Sequence, residues 1–496
     1  DQAADQLLQT ATQKGTQFEY QDQDVINTTF RGGKIKELPG IYNYTATDDK
    51  FHTVKDPVII HYNGDVKPWS TERRCPNTMA SRYFAYLRLT PYRKFRSEFV
   101  RSRIVRTLKK AAGIDVYPSR VKVALIVDEY FGACGTAYGG YGFLARNYIA
   151  RYLPDTNISV EVLLSNKHRW KFAPNALTEK VDNRKVIVPP GRFFARQWLK
   201  KKKYDIYLTV ELTHNILKYE RRSKPIIHWI QDPRPWSEWL EIQTVKLFPE
   251  NSYWSSSLYD SVNKLYGKGL VTFVSQGYFL NDKAIELYRL PGDAPIAYMP
   301  NPIDIDYGFD PESYPKKNHI LFIGRIESIK RGWLFCEIAK QLPQYEFFML
   351  GQTFREKSQN ESIMAGYRDI PNLHLVGHVE GEEKMKYIRE AKILVNTSIH
   401  EALPITFLEA LAYGTLLVSC RNPEDLTSKF GRYTGPVLGD GFDKVPLFTS
   451  AIEELIENEG LRKELSCKAV EYIREIHPVH KFQQHMRKLI HDLAHK

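Results

Sequence analysis

From Val121 onward the chain alternates short, β-branched apolar runs with segments of helical periodicity, and it does so in two successive series. Runs that are apolar at nearly every position must be covered on both faces. That requires parallel strands flanked by helices rather than a set of hairpins. The first series comprises Val121-Lys-Val-Ala-Leu-Ile-Val127, Asp205-Ile-Tyr-Leu-Thr-Val210, Pro225-Ile-Ile-His-Trp-Ile230 and Leu270-Val-Thr-Phe-Val-Ser275. A glycine-rich stretch, Gly132 to Gly140, follows the first of these and leads into a helix expected from about Tyr141 to Tyr152. The alternation pauses at Met299-Pro-Asn-Pro-Ile-Asp304.

The second series opens with His319-Ile-Leu-Phe-Ile-Gly-Arg325 and continues through Tyr345-Glu-Phe-Phe-Met-Leu-Gly351, Leu373-His-Leu-Val376 and Lys392-Ile-Leu-Val-Asn-Thr397. A helix expected over Pro404 to Tyr413 precedes the strand Thr415-Leu-Leu-Val-Ser419, and helical periodicity prevails from about Ser450. The pattern predicts an α/β chain with two Rossmann-like doubly wound domains, residues 116–300 and 301–475, facing across a cleft, and a C-terminal helix over 476–496. Open sheets of this kind bind ligands beyond the carboxyl ends of their strands, so the cleft is where chemistry is expected.

Residues 1–115 fit neither series. They are rich in turn signals (Gly32-Gly33, Pro39-Gly40, Asn63-Gly64, Lys67-Pro68) and contain one clear strand, Pro57-Val-Ile-Ile-His-Tyr62, which reads as part of a third module. Between this module and the first series lies a basic clump, Arg93, Lys94, Arg96, Arg101, Arg103, Arg106, Lys109 and Lys110, interleaved with Phe99, Val100, Ile104, Val105 and Leu108. The apolar spacing suits a basic amphipathic helix, either lying on an anionic membrane surface or linking two domains.

The net charge of +12 calls for an acidic partner such as a nucleotide, a phospholipid surface or a nucleic acid. No module that stacks aromatics on bases accompanies the charge, so nucleic acid is not expected. Cys75, Cys134, Cys336, Cys420 and Cys467 form no CxxC pair, which argues against a disulfide framework or a zinc site and for a reducing compartment. No apolar run reaches the roughly 18 to 20 residues needed to span a bilayer.

A sugar nucleotide presents a diphosphate that needs cations or amide donors, and hydroxyls that need fixed acceptors. Gly324 and Arg325 end a strand of the second series and Lys330 follows closely, a pairing of a bidentate clamp with a mobile point charge. Glu401 lies in the loop after Lys392–Thr397, and Glu409 lies two turns into the next helix. The backbone amides at Leu403 and Ile405, at that helix's N-terminus, add donors for an anion. Each feature alone is also consistent with an ordinary surface turn or helix.

Together they resemble the family 4 glycosyltransferases, which have the GT-B fold, use nucleotide-sugar donors and retain anomeric configuration. The resemblance rests on Gly324, Arg325 and Lys330, on Glu401 and Glu409 within His400-Glu-Ala-Leu-Pro-Ile-Thr-Phe-Leu-Glu409, on Pro300-Asn301-Pro-Ile-Asp304, and on Leu373-His-Leu-Val-Gly377-His. It implies that Arg325 and Lys330 bind the diphosphate, Glu401 the transferred sugar and Glu409 the ribose, with Asn301 at the interdomain turn of the donor site and no metal required. Ala402 departs from the family's usual glycine and narrows the expected sugar pocket. The glycine-rich loop of the acceptor side is matched by Gly139 and Gly140, and the family's histidine near the acceptor by His214 or His228, with His400 and Asp232 as further polar candidates.

The first 115 residues resemble instead the C-terminal half of family 8 glycosyltransferases, of GT-A fold, through Asp22-Gln-Asp-Val-Ile-Asn27, Leu38-Pro-Gly-Ile-Tyr-Asn43 and His61-Tyr-Asn-Gly-Asp-Val-Lys-Pro-Trp69. The likeness implies that His61 would ligate manganese, that Gly64 and Lys67 would contact a diphosphate, and that Asp22 and Gln23 would line the pocket. The metal site of that family also needs an upstream half that this sequence lacks, so the module is expected to be inactive as it stands. The function expected is a retaining transfer of sugar to a growing surface polysaccharide or glycolipid, in the cytoplasm or peripherally at the inner face of the membrane. A nucleotide-sugar epimerase and a non-catalytic glycan-binding scaffold are the alternatives.

Overall fold

The computed structural model describes residues 120–494, apart from 166–167, 212–216, 218–222, 248, 250–251, 253 and 354, together with scattered positions before residue 120. The chain divides into two units, Asp1–Ser119 and Arg120–Lys496. In the first, the short strands Tyr44–Thr45 and Ile60–His61 pair in parallel, and Ala80–Leu87 is a helix. Of the basic segment, Val100, Ile104 and Leu108 are described, and all three are helical and exposed. Asp22, Gln23, Gly64, Lys67 and the side chain of His61 lie outside the described residues.

The second unit holds two sheets. Strands β1 (Val121–Ile126), β2 (Ile158–Leu163), β3 (Leu177–Val181), β4 (Arg184–Val188), β5 (Ile206–Val210), β6 (Ile226–Ile230), β7 (Val271–Ser275) and β8 (Ile296–Tyr298) form an eight-stranded sheet in the order β8-β7-β6-β5-β1-β2-β4-β3. All neighbours are parallel except the edge hairpin β3–β4. Strands β5 and β6 are buried along their whole length, as their unbroken apolar runs require. The helix after β1 runs from Gly140 to Tyr152 with one π turn at Ala145–Ile149.

Strands β9 (Lys317–Ile323), β10 (Glu346–Leu350), β11 (Leu373–Gly377), β12 (Ala391–Asn396), β13 (Leu416–Ser419) and β14 (Gly431–Tyr433) form a six-stranded parallel sheet in the order β11-β10-β9-β12-β13-β14. This is the doubly wound order in which the chain reverses direction beside β9, opening a crevice between β9 and β12. The helix Gly332–Gln341 and the helix Val445–Glu457 bury Phe335, Phe448 and their neighbours against this sheet.

The chain crosses between the two sheets twice, at residues 299–304 and again near His477. The crossings are tied together: the amide N–H of Ile303 donates to the His477 carbonyl at 2.9 Å, and the His477 ring contacts the Asn301 carbonyl through Nδ1 at 2.7 Å. The terminal helix Val479–Ala494 then packs back on the first sheet. Phe482, Met486 and Ile490 are buried there, with the Phe482 ring stacked on Trp229 of β6 at 5.5 Å. Gln483 and Arg487 donate to the Tyr152 carbonyl at 2.9 and 2.8 Å, capping the end of the Gly140–Tyr152 helix. Burying a phenylalanine in this way contributes roughly 2 to 3 kcal/mol. Among the described residues, no helix is long and apolar enough to cross a membrane.

Candidate functional site

The loops that leave the carboxyl ends of both sheets converge on one cavity of about 1290 Å³. Asp128 and Glu129 follow β1, Glu211 follows β5, Gln231 and Asp232 follow β6, and Gln276 follows β7. From the second sheet come Arg325, just past β9, Lys330, Arg355 past β10, and Glu401 to Ile405 past β12. Sheet order, rather than nearness in sequence, assembles these side chains.

Lys330 and Glu401 form the charged centre. The Lys330 ammonium lies 2.6 Å from Glu401 Oε1, which also accepts from Ser398 Oγ at 2.6 Å and Asn396 Nδ2 at 2.9 Å. Burial would raise this carboxyl, yet Lys330 and the two polar donors hold it below its ordinary range. The turn that presents Lys330 is fixed from below. Arg331, fully buried and in the left-handed region at φ 48°, donates to the carbonyls of Thr397, Val437 and Gly439. Thr397 Oγ1 in turn donates to the Lys330 carbonyl at 2.8 Å, so the ends of both turns are locked to one another.

Arg325 stands 3.4 Å from the buried carboxylate of Glu327 and remains partly exposed to the cavity. Gly324, ahead of it, packs against Gly351: a Cβ on Gly351 would stand 1.8 Å from the Gly324 carbonyl oxygen, so only glycine allows this approach of the two strand ends. Leu403 and Ile405 flank Pro404 at the start of the helix Ile405–Ala412 and line the same wall, with Ala402 beside them. Glu409 lies a turn further along that helix and is not among the lining residues. It is buried, its Oε1 is paired with Lys384 at 2.6 Å, and its Oε2 has no hydrogen-bond partner among the described residues.

Gly139 and Gly140 also line the cavity, where the helix of the first domain begins. The space beside Gly139 is occupied by a carboxylate of the protein. A Cβ there would stand 1.9 Å from Glu129 Oε1, which accepts the Gly142 amide N–H at 3.1 Å. Burial raises the Glu129 carboxyl against the lowering influence of that amide and of Arg325 and Arg355.

Asn301 lines the cavity, but its amide is engaged within the protein. Nδ2 donates to Gln231 Oε1 at 2.9 Å and Gln276 Oε1 at 2.6 Å, and Oδ1 accepts from Gln231 Nε2 at 2.9 Å. The three amides brace the interdomain turn against β6 and β7.

His400 bridges the halves. Its Nε2 lies 2.7 Å from Asp232 and its Nδ1 2.8 Å from Glu238, both carried by the first domain. Burial would raise Asp232, but Arg234 and His400 hold it well below its ordinary range; Glu238 is likewise lowered by His400 and Lys283 against its own burial. Of the histidines named as acceptor-side candidates, His214 lies outside the described residues, while His228 is buried between Phe273, Tyr288 and Glu211 and does not line the cavity.

Sequence reasoning did not single out Glu129, Glu211 or Arg355, nor the cations Arg169, Lys171 and Arg192, all of which line the cavity. Glu211 accepts the amide N–H groups of Gln231 and Asp232, each at 2.9 Å, and the Tyr288 hydroxyl, and so shapes the β6 loop. No motif spacing marks these positions. For Glu129, Glu211, Arg192 and Arg355 the signal is a charged residue within a few positions of a strand's carboxyl end, whereas Arg169 and Lys171 lie further along the segment after β2.

The family model for glycosyl transferases group 1 matches residues 306–471, and that for glycosyl transferase family 8 matches residues 2–73. No curated protein matches the chain. Among solved structures, a sucrose-phosphate synthase from Thermosynechococcus elongatus is 15% identical with a TM-score of 0.55, over 75% of this chain and 99% of that one. The pneumococcal O-GlcNAc transferase GtfA, in complex with UDP and GlcNAc, is 12% identical with a TM-score of 0.55, over 76% and 100%. Anabaena Alr3699/HepE, in complex with UDP-glucose, is 10% identical with a TM-score of 0.53, over 75% and 100%. At these identities the likeness is one of fold, and the fold is GT-B. With its matched segments in this order, the chain is a glycosyltransferase of GT-B fold that matches group 1 over residues 306–471 and family 8 over residues 2–73.

Proposed function

We propose that the second unit is an active, retaining transferase that moves a sugar from a nucleotide-sugar donor to a glycan or glycolipid acceptor. The observation that carries this reading is the Lys330–Glu401 pair, held at 2.6 Å in the cleft with Arg325 and Arg355 beside it. Arg325, Lys330 and Arg355 supply positive charge where a diphosphate leaves, without reorganising at the moment of bond cleavage. Glu401, ionised and fixed by three donors, faces the sugar's hydroxyls. The acceptor hydroxyl attacks the anomeric carbon from the face the diphosphate leaves, and its proton passes to the departing phosphate oxygen. The presence of UDP in two of the similar structures supports a uridine nucleotide as the first donor to try.

A first-domain half of the cavity with its own cations and aromatics favours transfer to a second substrate over epimerisation of a lone nucleotide sugar. The exposed Val100, Ile104 and Leu108 on the basic segment support a peripheral site of action at the inner face of a membrane, on a surface polysaccharide or glycolipid. The test is turnover of a panel of nucleotide sugars by the full chain, with product mass and anomeric configuration determined. Lys330→Ala and Glu401→Ala are expected to lower turnover by about two to three orders of magnitude with the fold retained. Unchanged turnover in both variants refutes the assignment, and a changed sugar in the nucleotide product without an acceptor points to an epimerase.

A further inference from the structure

The donor-side cations account for one diphosphate, yet the cavity holds a second cationic group on the opposite wall. Arg169 and Lys171 sit on the segment between β2 and β3, and Arg192 opens the helix Arg192–Lys202 after β4. The two pieces are bound to each other by backbone. Gly191 N–H donates to the Ala173 carbonyl at 2.9 Å, and Phe193 N–H donates to the Lys171 carbonyl at 3.3 Å. A Cβ at Gly191 would stand 2.3 Å from the Trp170 carbonyl oxygen, so the close approach that gathers the three cations depends on glycine.

Arg169 is the informative member. One of its terminal nitrogens donates to the Asn175 carbonyl at 2.5 Å, while Nε and Nη1 are buried and have no acceptor among the described residues. A guanidinium that keeps two buried N–H groups unanswered at a cavity wall presents the paired donors that grip a planar or tetrahedral oxyanion. Neither Lys171 nor Arg192 has a carboxylate partner among the described residues; each lies over a ring, Lys171 over Phe172 at 5.1 Å and Arg192 over Phe193 at 5.6 Å. Four carboxylates that line the same cavity are committed elsewhere: Glu129 to the Gly142 amide, Glu211 to the β6 loop, Asp232 to His400 and Arg234, and Glu401 to Lys330.

Beside the cations stand exposed rings. Phe172 and Phe193 stack at 4.5 Å, Trp170 meets Phe172 edge-on at 5.5 Å, and Trp170 is 67% exposed where a buried core position would otherwise be its ordinary place. Flat apolar rings beside unanswered cations fit the C–H faces of a sugar that carries a negative charge.

Building on the transferase reading above, we infer that this wall is the acceptor subsite and that the acceptor is a glycan bearing an anionic group, a phosphate or a carboxylate, gripped by Arg169 with Arg192 and Lys171. The test uses the full chain and glycans in matched pairs: phosphate-bearing oligosaccharides with their phosphatase-treated counterparts, and uronate-bearing ones with their carboxyl-reduced counterparts. Binding is expected in one anionic set, to be lost with the neutral counterpart, and to fall roughly tenfold or more in Arg169→Gln and Arg192→Gln. The set that binds tells phosphate from carboxylate. UDP affinity and melting temperature are expected to stay unchanged in both variants, which separates the subsite from the donor site and from the fold. Equal binding of the neutral counterparts, unchanged binding in both variants, or no binding by any member of the panel overturns the inference. UDP that fails to bind, or binds independently of Arg325, refutes the donor reading instead.

Discussion

His477 offers the sharpest physical test of the hinge. Its Nδ1–H is directed at the Asn301 carbonyl at 2.7 Å, leaving the proton-accepting position at Nε2, which is buried without a hydrogen-bond partner among the described residues. Protonating Nε2 would create a buried cation whose new hydrogen has no acceptor among the described residues. Burial accordingly pushes the ring down from 6.5 to about 4, although the Asn301 carbonyl opposes the shift. The gap of about 2.5 pH units corresponds to about 3 kcal/mol at about 1.4 kcal/mol per unit. The unfolded chain binds the proton first, so this contribution is fully present above pH 6.5, fades as the pH falls, and is gone below about 4. Denaturant unfolding of the wild-type chain and of His477→Asn across that range isolates the effect, because asparagine keeps a donor for the Asn301 carbonyl and does not titrate. The wild type should lose up to about 3 kcal/mol more than the variant on acidification. Parallel stability profiles for the two proteins would refute the assignment of an unprotonated, hinge-locking imidazole.

Gly351→Ala should drive the Gly324–Arg325 turn out of place, since the new methyl would stand 1.8 Å from the Gly324 carbonyl oxygen, and UDP affinity measured by titration should fall with little change in secondary structure. Lys384→Ala leaves the buried Glu409 without its partner at 2.6 Å; a loss of about 3 to 5 kcal/mol in unfolding experiments is expected, with the smaller loss in Lys384→Ala/Glu409→Gln showing that the stranded charge is the cause.

The interior of both sheets was legible because β1, β5, β6, β9 and β12 are covered on both faces and read as apolar runs. The edge hairpin Leu177–Val181 and Arg184–Val188 was not: its outer strand is exposed and carries Thr178, Glu179 and Lys180, so no burial pattern announces it. Strand β2 alternates Ser159 and Glu161 with apolar residues, so no unbroken apolar run marks it.

The site divides in the same way. Arg325, Lys330, Glu401 and the start of the Ile405–Ala412 helix lie within local motifs that can be read along the chain. Glu129, Arg169, Arg192 and Glu211 come to the cavity because β1, β2, β4 and β5 end there, which depends on sheet order. Asn301 shows the converse. A motif position can be fixed by the fold, here by the amides of Gln231 and Gln276, rather than by a ligand.

The return of the terminal helix Val479–Ala494 to the first sheet has a consequence for how the protein is made. The first domain's core includes Trp229, but the ring that stacks on it, Phe482, is synthesised only after both sheets. A nascent chain that has completed both sheets therefore still exposes the apolar face that Phe482, Met486 and Ile490 will cover. Domains that finish in order of synthesis can fold one at a time, whereas this one must wait for a helix that follows the second sheet before its core is sealed. Loss of the sixteen residues Val479–Ala494 would thus strike the first sheet, although the second sheet lies nearer to them in sequence.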